Sequence, residues 1–418
     1  MLPMDMQLKK LHDWAENNAR ECIFPFWCSD FIRDPVNGGF YGRVTLDMQV
    51  DHTEPRGLTL AGRMVYAFST AYRIFGEQKY AEAADYAYAD LVKRFYDPEF
   101  GGAYTSVSAE GQTLADNKPI YCEAFWVMGC AAYGRARNDG RAIDLAMECA
   151  RKLENCGKWA PASYYNNMNR DWTPAEGMGF GKGGGFEIPE GAVMFPHHLC
   201  QAYVQLYRAR PDEMIRKSLR EMLDFILTRL FDPEHCCFKT IVAADGSRVG
   251  MHQSFGHDCE ISYLAMTVAQ LVGTEDEKRR MKELVTKVLY RILEADFDAY
   301  GSLCNGGDLT SGEREASHVW WAQAEAVTAM LCGYQLTGDR KFLDACMVQV
   351  EFIEAYFVDR EHGDWYSNIL VDETGGHIVD GMHGFDKLNG GKCPFHNSQM
   401  CFEVMHRTAQ MMEDEEYG

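Results

Sequence analysis

Asp34-Pro35-Val36-Asn37-Gly38-Gly39-Phe40-Tyr41 recurs in the same chain as Asp97-Pro98-Glu99-Phe100-Gly101-Gly102-Ala103-Tyr104. Shorter echoes open at Asp232 (Pro233-Glu234-His235), Asp298 (Ala299-Tyr300-Gly301) and Asp359 (Arg360-Glu361-His362-Gly363). Asp34 to Asp97 spans 63 positions, Asp232 to Asp298 spans 66 and Asp298 to Asp359 spans 61. The distance from Asp97 to Asp232 is about two such periods, which predicts a degenerate copy near Asn166 to Asp171. A second echo runs through Ala71-Tyr72-Arg73-Ile74-Phe75-Gly76, Leu206-Tyr207-Arg208-Ala209-Arg210-Pro211 and Gly333-Tyr334-Gln335-Leu336-Thr337-Gly338. Each copy follows one apolar helical pattern and precedes another, and Ala81 to Phe95 and Phe342 to Phe357 carry the three-and-four apolar spacing of half-buried helices. The unit is therefore helix, short turn, helix, then an Asp-to-Gly turn with a brief extended piece.

Six such units fill the length and give an all-α fold of about twelve helices. An open solenoid would need polar capping helices at both ends, and neither terminus looks like one. The expectation is a closed (α/α)6 barrel, with residues 1–418 forming a single catalytic domain. Two Gly-rich segments interrupt the pattern, Asn155 to Gly191 and Gly375 to Gly391, and long loops of this kind often cover a mouth. The run Gly181-Lys182-Gly183-Gly184-Gly185 lacks the strand–helix context and Lys-Ser/Thr ending of a phosphate loop.

The 418 residues carry a formal charge of -21, whose field repels phosphate and argues against nucleic acid or an anionic membrane as partner. No stretch has the apolar length of a membrane span, and the start lacks a basic-then-apolar signal. Fifteen scattered cysteines without a CxxC pair are expected to be free thiols in a cytoplasmic protein. No Cys/His spacing resembles a zinc site, so no metal is expected.

Chemistry concentrates on the polar residues of apolar helical stretches. Phe255-Gly256-His257-Asp258-Cys259-Glu260 opens a long helical pattern, and residues three apart share a face, so His257 and Glu260 are expected to point the same way. An imidazole held by a carboxylate is a proton carrier tunable near neutral pH. Arg63 interrupts the apolar Ala61 to Phe68 and needs an anionic partner or a site. Trp320-Trp321-Ala322-Gln323-Ala324-Glu325 places an indole one turn from a carboxylate. His198 follows Pro196-His197, and His396-Asn397 follows Lys392-Cys393-Pro394-Phe395 at a helix start. Singly, each suits an ordinary structural ion pair or core aromatic. Together they suit a sugar, which offers C–H faces to aromatics and hydroxyls to polar groups.

Gly38 to Gly42, Arg63 with its helix, Phe255 to Glu260, Trp320 to Glu325 and Lys392 to Asn397 resemble, in order, the N-acylglucosamine 2-epimerase superfamily, most closely its cellobiose 2-epimerase branch. The resemblance implies an (α/α)6 barrel and cofactor-free epimerisation at C2 of a reducing sugar. By position it makes His257 and His396 the proton-transfer pair, Arg63 the arginine near the sugar's C1 and C2 oxygens, and Glu260 the accompanying carboxylate. It adds His198, Tyr121, Trp320, Trp321, Glu325, Tyr263 and Asn397 as candidate substrate-binding residues. Three positions depart from the branch: Tyr263 and Gly391 stand where Trp is typical, and Gln399 replaces an Arg. The expected partner is a small sugar, free or at the reducing end of a β-1,4 disaccharide, with the protein a monomer or homodimer.

The C2 hydrogen of an open-chain aldose is acidic because the C1 carbonyl accepts the charge as an enediolate. Inversion then requires removal from one face and return to the other. His257 and His396 are expected to exchange these roles, with Glu260 orienting one imidazole and Arg63 stabilising the enediolate. An aldose–ketose isomerase would use the same site. A glycoside hydrolase would need two opposed carboxylates instead, and a sugar-binding protein would leave the proton carriers idle.

Overall fold

Twelve helices of thirteen or more residues form two concentric rings in the computed structural model, which describes residues 4–177, 191–315, 317–372, 375–378 and 386–416. They are α1 (Met4–Asn17), α2 (Leu58–Phe75), α3 (Gln78–Phe95), α4 (Ile120–Arg137), α5 (Gly140–Lys152) and α6 (His197–Ala209). The second half comprises α7 (Glu213–Phe225), α8 (Phe255–Val272), α9 (Glu275–Ala295), α10 (Trp320–Thr337), α11 (Arg340–Phe352) and α12 (His396–Glu416). Even-numbered helices pack on one another in sequence, and α12 closes the inner ring against α2. Odd-numbered helices lie outside, α1 against α12 and each of the others against the inner helix before it. The (α/α)6 barrel expected from the repeat is therefore present.

The composition of each helix suits its ring. The inner α4, α8 and α10 are buried on nearly every side, whereas α5, α7 and α9 bury one face and place charges on the other. Where α2 meets α4 the backbones almost touch: a Cβ on Gly62 would lie 2.4 Å from the Phe125 carbonyl oxygen. The outer helices α5, α7, α9 and α11 begin with side-chain caps, from Asp139, Asp212 and Asp339 and from a Thr274/Glu277 capping box. The inner helices α2, α4, α6, α8 and α10 have no side-chain cap. Their N-termini open toward one mouth of the barrel.

The recurring Asp builds the turn that leaves five of the six outer helices. Asp34 accepts the Val36 and Asn37 N–H groups, Asp97 those of Glu99 and Phe100, Asp232 those of Glu234 and His235, and Asp359 those of Glu361 and His362. The chain then needs positive φ, supplied by Gly38 and Gly39 or Gly101 and Gly102, and by Cys236 (φ 49°) where glycine is missing. Each Asp also binds a base from the segment entering the next inner helix. The pairs are Asp34–Arg56, Asp97–Lys118 (3.1 Å), Asp232–Arg248 (2.8 Å), Asp298–His318 (3.3 Å) and Asp359–Lys387 (2.7 Å).

The degenerate copy lies earlier than 166–171. Lys158 pairs with Tyr164 and Ala160 with Ser163, as Phe231 pairs with Phe238, and Ala162 takes φ 51°. This copy has no Asp, so the spacing of aspartates could not locate it. Residues 166–171 belong to the next hairpin, Asn167–Met168 with Pro174–Ala175, whose Arg170 reaches back to Asp97 at 2.9 Å. Gly181 to Gly185 lies outside the described residues. All fifteen cysteines are unpaired. Among the described residues no helix is long and apolar enough to cross a membrane.

Asp97→Ala would strand the ammonium of fully buried Lys118, and removing one partner of a buried pair costs about 3–5 kcal/mol. Denaturant titration should show a loss of that size, against less than about 1 kcal/mol for Asp13→Ala in the exposed Lys9–Asp13 pair. Burial alone would raise the Asp34 carboxyl, but the Asn37 and Val36 N–H groups and Arg56 bring it down to about 2. Its folded value lies below the unfolded one, so its stabilisation is full above pH ~3.8 and is lost as pH falls through about 2. Asp34→Asn should remove that part of the acid dependence.

Candidate active site

The first two turns of the inner helices carry nearly all the expected site residues: Arg63 on α2, Tyr121 on α4, His198 on α6, His257 and Glu260 on α8, Trp320 and Trp321 on α10, and His396 on α12. All of these line one cavity of about 890 Å³ at the mouth, within the usual range for ligand pockets. Tyr165, Asn166, Asn368 and Asn389 extend the wall outward, so both loop segments expected at a mouth contribute to it.

The two histidines are held from behind by different partners. His257 Nδ1 lies 2.8 Å from Ser254 Oγ, one turn earlier, and its ring packs 4.9 Å from the Trp321 ring. His396 Nδ1 lies 2.6 Å from Glu325 Oε1, and its ring is 5.6 Å from that same indole. With Nδ1 engaged on each ring, Nε2 is the atom left for the cavity. The expected His257–Glu260 pairing is not formed. The Glu260 carboxylate turns toward α6, its oxygens 3.6 Å from His197 Nε2 and 3.5 Å from His198 Nδ1. The carboxylate that orients an imidazole is Glu325.

Three residues expected to contact substrate are instead behind the wall. Glu325 accepts from Tyr263 Oη at 2.7 Å through its other oxygen, and Tyr263 accepts from Gln399 Nε2 at 2.8 Å. Gln399 in turn accepts from Gln201 Nε2 at 3.0 Å. An amide NH2 can only donate, so Tyr263 must donate to Glu325, and the chain has one polarity. Asn397 donates to Asp364 at 2.7 Å, beside the Lys392–Asp364 ion pair, and is a structural clamp. Asp258 is likewise structural, accepting from the Phe238 N–H and Gln253 and pairing with Arg291.

Arg63 donates to Tyr121 Oη at 2.9 Å and lies 4.2 Å above the Phe125 ring. Its Nε has no hydrogen-bond partner among the described residues. Sequence reasoning passed over His197, Ser254, Gln201 and the positioning part of Gln399. The paired His197-His198 at a helix start was the available signal for the first of these. Two groups hold ligating atoms within 4.8 Å of one another: His197, His198 and Glu260, and Glu260, Glu325 and His396.

Burial governs the electrostatics. It lowers His257 to about 4, and burial with neighbouring His257 lowers His197 to about 3. Burial, then His197 and Arg63, holds His198 well below the imidazole range, and burial with Arg63 does the same to His396. Burial raises Glu260 to about 8 against the pull of Arg63. Glu325 is raised by burial and by Glu260, since two close carboxylates resist ionising together. Burial thus favours an unprotonated His257, and it favours the neutral forms of both Glu325 and His396. With Glu325 neutral and donating to His396 Nδ1, His396 Nε2 carries a hydrogen toward the cavity.

The family model described as N-acylglucosamine 2-epimerase (GlcNAc 2-epimerase) matches residues 39–381. The chain belongs to the N-acylglucosamine 2-epimerase family. It is 30% identical over 388 residues to the cellobiose 2-epimerase of Ruminococcus albus, covering 92% of this chain and 96% of that one. It is 29% identical over 403 residues to the cellobiose 2-epimerase of Dictyoglomus turgidum, covering 96% and 100%. The solved cellobiose 2-epimerase of Bacillus thermoamylovorans superposes with a TM-score of 0.86 at 27% identity, covering 96% of this chain and 100% of that one. The resemblance drawn from the motifs is thus borne out, and with it the expectation of a carbohydrate epimerase.

Imidazole chemical shifts provide a check on the electrostatics of this family member. His257, assigned through His257→Gln, should stay in its neutral form from pH 8 to about pH 5.5. A midpoint near 6.5 would contradict the desolvated site.

Proposed function

We propose that the protein is a sugar 2-epimerase interconverting glucose- and mannose-type reducing sugars, either free aldoses or the reducing end of a β-1,4 disaccharide, by two-histidine proton transfer at C2. One observation carries this reading: His257 and His396 pack on the same indole with different partners on Nδ1, a hydroxyl and a carboxyl group, beside a buried arginine. His257 takes the C2 proton of one epimer. Arg63, held by Tyr121, stabilises the charge gathering on O1 and O2 of the enediolate. His396 returns a proton to the other face, and Glu325 with the Tyr263–Gln399–Gln201 chain adjusts as its charge changes. The reverse reaction exchanges the two histidines.

Supporting features include the uncapped inner-helix N-termini, whose dipoles favour negative charge at the mouth, and the Trp321 face against which a sugar ring can lie. His198 and Glu260 offer a donor and an acceptor to sugar hydroxyls. The volume of about 890 Å³ and the amide-lined outer wall leave room for a second sugar ring.

Incubation with glucose, mannose, cellobiose, mannobiose and N-acetylglucosamine in deuterated water, followed by NMR, should show C2 epimers carrying deuterium at C2. A ketose as the main product would replace this reading with the isomerase one. His257→Ala and His396→Ala should each lower net epimerisation by about 10²- to 10⁴-fold or more, while C2 exchange of one epimer persists in one or both. Full inversion by either single mutant would remove the two-base assignment. A raised KM with unchanged kcat would make the histidines binding groups.

A further inference from the structure

The proton-transfer reading leaves one arrangement unexplained. His197 Nε2, His198 Nδ1 and both oxygens of Glu260 are buried, and among the described residues none has a hydrogen-bond partner. Glu260 is 1% exposed and His198 6%. The separations, 3.6 Å from His197 Nε2 to Glu260 Oε2 and 3.5 Å from His198 Nδ1 to Glu260 Oε1, are too long for good hydrogen bonds. Each is close to the ~3.4 Å between adjacent ligand atoms in a tetrahedral set with bonds of about 2.1 Å, and one ligating atom from each of His197, His198 and Glu260 lies within 4.8 Å of the others.

The state of His197 sharpens the point. Its Nδ1 lies 3.3 Å from the Phe195 carbonyl oxygen, which can only accept. Donation there leaves a lone pair on Nε2 that no described residue fills, 3.6 Å from a Glu260 oxygen. A ligating histidine is commonly anchored in this way, its second nitrogen on a backbone carbonyl. Among the described residues no ion pair joins Glu260 to Arg63, whose guanidinium lies against Tyr121 and Phe125. Glu260 is therefore left without a cationic partner among these residues, and a metal ion binding there would displace its carboxyl proton. All three side chains line the mouth cavity, which leaves a further coordination position open toward it.

We propose that His197, His198 and Glu260 form a binding site for a divalent transition metal of the zinc class, and that the bound ion excludes sugar from the cavity. Two imidazoles and one carboxylate select zinc, cobalt or nickel over magnesium and calcium, which prefer all-oxygen sets. The ion shares His198 and Glu260 with the sugar, so metal and sugar compete. The site is a reversible brake, not part of the reaction. The inhibition half rests on the sugar-epimerase reading, whereas the binding half stands on geometry alone.

The test titrates chelator-treated full-length protein with Co²⁺ and Zn²⁺ and reads visible absorption and calorimetry. One ion per chain should bind, with ligand-field bands but no thiolate charge-transfer band, which separates this site from exposed Cys156. His197→Gln, outside the proton-transfer machinery, should weaken binding by at least about tenfold yet keep epimerisation in chelator. Zinc should inhibit the unaltered protein competitively with sugar, reversibly by chelator, and His197→Gln should need at least about tenfold more zinc. Equal metal affinity with and without His197, or no binding beyond a thiolate site, would overturn the proposal. Binding without inhibition would overturn its shared-cavity half. If no sugar in the panel turns over, the absorption and calorimetric results still decide the binding half.

Discussion

Five of the six units of the barrel depend on a clasp between the turn that leaves an outer helix and the segment that enters the next inner one. Asp34, Asp97, Asp232, Asp298 and Asp359 each spend backbone-facing lone pairs on the turn and the remaining oxygen on a base just ahead of an inner helix. Lys118 and Lys387 are fully buried in these contacts, which makes the pairing obligatory and not decorative. The clasp sets where the inner helix of each such unit begins. Because the proposed reacting groups sit in the first turns, it also sets the geometry of the candidate site from outside.

The same construction explains the chemistry. Inner-helix starts without side-chain caps face a common, largely dehydrated mouth, so imidazoles there are held neutral and carboxylates resist ionising. A symmetric pair of neutral histidines could accept protons but not supply one. The asymmetry comes from behind the wall: Ser254 gives His257 a neutral anchor, and Glu325 gives His396 a partner that keeps a proton. Tyr263, Gln399 and Gln201 fix the direction of hydrogen bonding into Glu325 without adding charge. In the proposed mechanism, two different environments make one of two otherwise identical side chains an acid and the other a base.

The ring was legible because its signal is local. An Asp-to-Gly turn and a helical apolar period both lie within a few residues, and five copies gave the number of units. The sixth, at Lys158 to Tyr164, escaped because it makes the same turn without the Asp that marked the others. His257, His396 and Arg63 stood out as polar residues on apolar helices, and the structure gathers them in one cavity. Their partners were less legible. Helical spacing put Glu260 on the face of His257, but spacing along one helix cannot say which neighbouring helix a carboxylate meets. Glu260 turned to α6, and Glu325, 71 positions from His396, took the orienting role. Asn397 was carried along by its neighbour His396 although its side chain points to Asp364.

The central claim is that one sugar carbon sits between two imidazoles with different partners on Nδ1. A crystal structure with a bound open-chain polyol related to glucose or mannose tests it most directly. The account predicts C2 within reach of His257 Nε2 on one face and His396 Nε2 on the other, with O1 and O2 directed at Arg63. Both imidazoles on the same face of C2, or C2 beyond the reach of either, would contradict it.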